Sequence, residues 1–172
     1  TASVTFPFPE AAAASLAALP QACTHCGATF DPAPIAICEH CLGPLEPVYN
    51  ARIIPDRAII GAREPSLWRY REWLPFTGQP TRSLDSGWTP LVEAPVLARA
   101  LNVEKAWIKN DAVSHPTLSF KDRVVASAIN AAAAFGLETI GCASTGNLAN
   151  AVAAHAARAG LTAWIFVPED LE

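Results

Sequence analysis

The chain has 172 residues, 51% hydrophobic and 16% charged, enough to fill one domain core or a small domain with an appendage. Its formal charge of -4 and pI near 5.5 argue against a broad nucleic-acid footprint. No apolar run is long enough to span a bilayer, so the expected location is cytoplasmic, with neither membrane nor nucleic acid as partner.

Three zones are expected. Residues 1–20 read as a flexible or weakly helical lead. Its apolar stretch 11–19 has no basic residue before it and makes a poor signal peptide. Residues 21–50 hold four of the five cysteines, as Cys23-x2-Cys26 and Cys38-x2-Cys41 with 11 residues between the pairs. Two such knuckles bring four thiolates to tetrahedral distance, which suits a structural Zn²⁺ in a zinc-ribbon-like element. His25 and His40 sit inside the knuckles and compete poorly as ligands. Neither pair is followed by His, which argues against c-type haem attachment. A cytosolic disulfide pair or a metal-free ribbon are the alternatives. No Lys or Arg falls between Cys23 and Asn50, so the ribbon does not look like a nucleic-acid reader.

Residues 51–172 read as a larger α/β unit. Its front carries Pro55, Pro65, Pro75, Pro80 and Pro90 among Trp68, Tyr70, Trp73 and Trp88, which predicts irregular segments and short helices anchored by aromatics. The pattern then becomes regular. A short helix is expected over 95–101, a strand over 105–109, a helix over 121–135 ended by Gly136, and a buried strand over 139–143. A helix over 148–159 ended by Gly160 and a buried strand over 162–167 complete the series. This alternation predicts a parallel sheet with right-handed crossovers. Three strands make a thin sheet, so the expectation is a piece of a larger protein, or one completed by a second chain.

Lys121 is one of three lysines, with Lys105 and Lys109, and opens the 121–135 helix. A 3.6-residue wheel puts it with Val124, Val125, Ala128, Ile129, Ala132 and Phe135, opposite Arg123, Ser127 and Asn130. An ammonium on the buried side of a helix is costly unless paired, neutral or covalently used. Ser144-Thr145-Gly146-Asn147 lies between a strand end and a helix start, where α/β proteins bind ligands. Gly146 admits close approach, the helix start offers N–H groups to an anion, and Asn147 can either cap the helix or donate to a bound oxygen. An amine beside an anion cradle describes pyridoxal phosphate chemistry.

The sequence from His115 to Arg123 (His-Pro-Thr-Leu-Ser-Phe-Lys-Asp-Arg), then Ser-Thr-Gly-Asn ending at Asn147, resembles the fold-type II pyridoxal phosphate enzymes. Gly87-Trp-Thr-Pro-Leu91 is similar to their Thr-Pro-Leu segment. Within that group the cysteine-bearing N-terminus and the Ala-rich 153–160 run are most similar to the threonine synthase family. The resemblance runs from about Ala22 to the end and covers the front half or less of such an enzyme. It implies an α/β fold with a partial parallel sheet and a pyridoxal 5'-phosphate cofactor. Lys121 would carry the covalent link, Asn147 would hydrogen-bond the cofactor's ring oxygen, and Ser144, Thr145 and Gly146 would hold a substrate carboxylate. His115, Leu118, Val124 and Leu148 depart from the residues common in the family. The family's glycine-rich phosphate cradle and the group facing the pyridine nitrogen come later in its sequences than this chain reaches.

The implied activity is conversion of O-phospho-L-homoserine and water to L-threonine and phosphate. A related lyase, such as a serine/threonine dehydratase or a cysteate synthase, is the rival enzyme. A non-catalytic zinc-ribbon fragment is the rival of another class. The implied partners are a small amino-acid substrate and either a second copy of the chain or a C-terminal half. Cys142 and His155 read as core residues, His155 as a hydrogen-bonded one. His115, six residues before Lys121, is close enough to line the cofactor site.

Overall fold

The computed structural model describes residues 16–50, 54–80 and 84–170. Most of the expected lead lies outside them. The lead's last residues form β1 (Ala17–Ala18), a strand rather than a helical turn. The chain then enters a small antiparallel sheet of β2 (Gln21–Cys23), β3 (Thr29–Phe30) and β4 (Leu45–Pro47), with β2 in the middle. Its two cysteine knuckles fold toward each other. Gly43 is required there by space: a Cβ would lie 2.9 Å from the His25 ring and 3.0 Å from the Cys23 sulfur.

The proline-rich stretch gives short elements, as its composition predicts. Helix α1 (Arg57–Gly61) is capped by Asp56, which accepts from the Ile59 N–H at 2.8 Å. A 3₁₀ segment, Leu67–Trp73, follows. Arg69 of that segment donates to the Ile60 carbonyl of α1 at 3.0 Å, and Arg63, just past α1, makes a two-pronged bridge to Glu72 at 2.7 and 2.6 Å. Then β5 (Phe76–Thr77) pairs antiparallel with β1, and both lie against the helix that Lys121 opens.

β6 (Leu91–Glu93), α2 (Pro95–Leu101) and β7 (Trp107–Lys109) form a hairpin-like unit. Pro95 opens α2 and Asn102 ends it in the left-handed region. β7 was expected in the parallel sheet. It pairs antiparallel with β6 instead, Leu91 opposite Lys109. The local partner wins because it is close in sequence, and all three β7 side chains are exposed, leaving no inward face for a covered sheet.

The main packing unit is α3 (Lys121–Ala134), β8 (Thr139–Ala143), α4 (Asn147–Ala159) and β9 (Thr162–Phe166). β8 and β9 pair in parallel from Thr139↔Thr162 to Ala143↔Phe166, with α4 as the crossover. Gly160 ends α4 at φ 70°, a conformation that a side chain would strain. Val125 and Ile129 of α3 meet Ala151, Val152 and Ala156 of α4, with Ile140, Cys142 and Ile165 beneath. Cys142 is thus a core residue, as its strand position predicts. Burying Ile129 fully is worth about 1.5–3 kcal/mol.

Two expectations fail here. β8 and β9 are covered on one face only, because both helices pack on the same side, and Trp164 and Phe166 stay exposed on the other. The buried stripe of α3 is also rotated from the wheel reading. It runs through Asp122, Val125, Ala126, Ile129, Asn130 and Ala132, while Val124 and Ala128 are exposed and Lys121 is half-buried at its edge. Asn130 takes the buried side with its amide N–H donating to the Ala126 carbonyl one turn back at 2.9 Å.

Candidate active site

The loop before Lys121 is organised by its neighbour in sequence. Asp122 is fully buried. One of its oxygens accepts from the Thr117 N–H at 2.9 Å and the Ser119 N–H at 3.4 Å, and the other from the Thr117 hydroxyl at 2.8 Å. The Ser119 hydroxyl accepts from the Lys121 N–H at 3.2 Å. The loop is pinned from outside as well: the Ser86 hydroxyl donates to the His115 carbonyl at 2.7 Å, and the His115 ring bonds the Leu84 carbonyl at 2.6 Å. The Lys121 ammonium lies 4.9 Å from the Phe120 ring centroid and has no ion pair among the described residues. The backbone of Lys121 is thus held by a constrained loop, while its ammonium faces no carboxylate among the described residues.

Arg123 ties this loop to Gly87-Trp-Thr-Pro-Leu91. It bonds Asp111 at 2.9 and 3.2 Å, the Gly87 carbonyl at 3.2 Å and the Thr89 hydroxyl at 3.4 Å. The Thr89 hydroxyl, with Arg123 behind it, holds the Asp111 carboxyl below its ordinary value. Lys109 donates to the Thr89 carbonyl and hydroxyl. A cavity of about 970 Å³ opens along this seam, lined by Arg57, Tyr70, Trp88, Lys109 and Arg123 among others. Asp111, Asp122 and Arg123 escaped the sequence reading as organisers. The available signal was a charged pair flanking a half-buried lysine in a chain poor in charge.

Ser144 and Thr145 line a second cavity, about 420 Å³, with Ala143, Phe166, Val167 and Pro168, at the carboxyl ends of both parallel strands. Asn147 is the first residue of α4 and not its cap. Gly146 holds the cap position, and no side chain bonds the first turn. A Cβ at Gly146 would meet nothing within 4 Å, so the space above the loop is open. The start of α4 is an anion-competent surface. α3 and α4 pack together through the core, and their polar contact joins Asp122 to His155. Lys121 lines neither of these two cavities. His155 is buried, as its helix face predicts, and burial lowers its proton affinity against the pull of Asp122.

The four ribbon cysteines do come together. All four sulfurs lie within 4.8 Å of one another, with Cys23–Cys41 at 3.4 Å and Cys26–Cys38 at 3.7 Å. Tetrahedral ligands at a Zn–S length near 2.3 Å stand about 3.8 Å apart, so the cluster has the size of a four-thiolate metal site. The Cys26 N–H, with the His25 N–H, points at the Cys23 sulfur and helps bring that thiol down to about 6. His25 and His40 are exposed, and the His40 ring packs 5.6 Å from Phe30.

A zinc-ribbon-like cysteine cluster thus precedes an α/β unit that carries a strand-end loop open to anions and a lysine at a helix start. Residues 82–172, just over half of the chain, match the family model described as pyridoxal-phosphate dependent enzyme, and the chain belongs to that family. Among curated proteins it is 37% identical over 153 residues to a threonine synthase of Methanocaldococcus jannaschii, covering 87% of this chain and 38% of that protein. It is 33% identical over 148 residues to a threonine synthase of Methanosarcina acetivorans, covering 85% and 36%. It is 43% identical over 110 residues to a threonine synthase of Halalkalibacterium halodurans, covering 60% and 30%. The matched part of the chain therefore spans 30–38% of the length of these relatives. Among the described residues, no helix is long and apolar enough to cross a membrane.

Proposed function

We propose that the protein containing this chain is a threonine synthase, converting O-phospho-L-homoserine and water to L-threonine and phosphate. The observation that carries the reading is the match to curated threonine synthases across 87% of this chain, ribbon included. Rival lyases of the same family share the lysine and the strand-end loop, so the continuous match favours the synthase.

The residues present fit pyridoxal 5'-phosphate. The first turn of α4 is uncapped and open, and Lys121 carries no competing carboxylate. In this reading Lys121 holds the cofactor covalently and Asn147 donates to its ring oxygen. Ser144, Thr145 and the Gly146 backbone take the substrate carboxylate at the positive end of α4. When bound, the cofactor supplies an electron sink for carbanion chemistry at the substrate's α-carbon. Lys121 Nζ would be the proton carrier beside that carbon. Asp122 keeps Thr117 and Ser119 fixed beside Lys121. Fixing the carboxylate at Ser144–Gly146 selects which bond at the α-carbon breaks.

Four ribbon thiolates, Cys23, Cys26, Cys38 and Cys41, are inferred to hold Zn²⁺ in a closed structural site with no open coordination position. The same reading divides the chain into a lead (1–20), a ribbon (21–50) and the front of the catalytic region (51–172). The substrate is a small amino acid, and a second copy or further chain completes the site. A cytoplasmic location goes with such a role.

The test adds pyridoxal phosphate to the full-length protein. A visible absorbance band is expected in wild type and absent in Lys121→Ala. Phosphate release from O-phospho-L-homoserine is expected, and ketoacid formation from threonine as the main reaction would favour the dehydratase instead.

A further inference from the structure

His155 sits two turns into α4, 1% exposed, with its Nε2 3.3 Å from the Ser86 hydroxyl and 3.5 Å from Asp122 Oδ1. Its protonation pattern follows from its neighbours. Ser86 has one hydroxyl proton, and it goes to the His115 carbonyl. Toward His155, Ser86 therefore only accepts. Asp122 Oδ1 accepts from Thr117, and its partner oxygen accepts from two backbone N–H groups. Both groups facing Nε2 are acceptors, so Nε2 carries the proton. Nδ1 is then bare, and it is buried with no partner. A second proton would turn it into a buried unpaired donor, the more costly state. The groups facing the ring agree: burial lowers its proton affinity first, Asp122 opposes, and His115 adds to the lowering.

We infer that His155 is a positioning residue: its Nε2–H clamps α4 to Asp122 and Ser86, and so holds the Lys121 loop in register with the Ser144–Asn147 loop. The inference rests on the proposed roles of those two loops. Through one N–H, α4, whose first residue is Asn147, is joined to the carboxylate that fixes Thr117 and Ser119 and to the hydroxyl that fixes His115. His155 is too deeply buried to touch a ligand itself. Its effect passes through the loop.

Glutamine places an N–H donor where Nε2 stands. Asparagine places it near Nδ1, and leucine offers none. In the unliganded full-length protein, hydrogen exchange at the Thr117 and Ser119 amides is expected to stay near wild type in His155→Gln. It is expected to speed up about tenfold or more in His155→Asn and His155→Leu, the scale of one lost buried hydrogen bond to a charged group. Pyridoxal phosphate affinity should follow the same order. Nitrogen NMR of the histidine rings, with His155 assigned by its loss in the variant, should show the proton on Nε2 at neutral pH. A proton on Nδ1, equal loss in all three variants, or full protection in His155→Leu overturns the clamp. If wild type gives no lysine-dependent band, the pyridoxal phosphate reading fails, while the exchange and tautomer data still judge the clamp.

Discussion

The ribbon and the α3–β8–α4–β9 unit are stabilised in opposite ways. Among the described ribbon residues only Cys23, Cys38 and Gly43 are buried, while Ile37 and Leu42 are exposed at 59% and 80%. Its strands are two or three residues long. An element of that size has no hydrophobic core to offset chain entropy, and what gathers its loops is a cluster of four sulfurs, two of them on exposed cysteines. The α/β unit buries a continuous aliphatic cluster with Ile129 at 0% exposure and needs no cross-link. The ribbon should therefore fail all at once when its ligands fail, and the larger unit by increments.

The largest expected effect is on the ribbon. Cys38→Ser, or a strong chelator on wild type, should abolish amide dispersion for residues 21–47 in NMR spectra, since structural zinc binding is folding free energy for such elements. Signals from α4 and β9 should persist. Loss of both sets together would mean that the two regions form one cooperative unit through the β1–β5 pairing that lies against α3.

Within the α/β unit the effect is graded and depends on helix face. Ile129→Ala should cost about 2–5 kcal/mol in denaturant unfolding, the usual range for a fully buried aliphatic. Val124→Ala, at a residue 57% exposed, should cost under about 1 kcal/mol. Equal costs would restore the wheel reading that put Val124 on the buried side.

That wheel shows where the sequence stopped being legible. Elements were readable, because Gly136 and Gly160 end helices by a local rule and the cysteine spacing states its own geometry. Facing was not. Apolar Val124 and polar Asn130 exchange expected sides because the contact with α4 selects the face and the Asn130 N–H finds an acceptor inside the helix. Pairing was not legible either: β7 found β6 through a short sequence separation that hydrophobic pattern does not encode. At the candidate site Lys121 and the Ser144–Asn147 loop stood out by residue type and spacing. Asp122 did not, because a buried carboxylate is recognisable only once its three donors are folded around it.

The smallest expected effect lies in the stretch between the two regions. Glu72 meets Arg63 in a two-pronged pair, and that bonding, with help from Arg71, lowers its carboxyl from 4.5 to about 2. The folded value lies below the unfolded one, so as pH falls the unfolded chain takes up the proton first. The pair's contribution is complete above pH 4.5 and is lost as pH falls through about 2. Arg63→Ala should therefore lower stability at neutral pH and flatten the acid limb of the unfolding profile over that window. If the limb keeps its wild-type slope, other carboxylates carry the acid sensitivity and this stretch is a passive connector. If it flattens, the stretch has a polar lock of its own, distinct from the cysteine cluster on one side and the aliphatic cluster on the other.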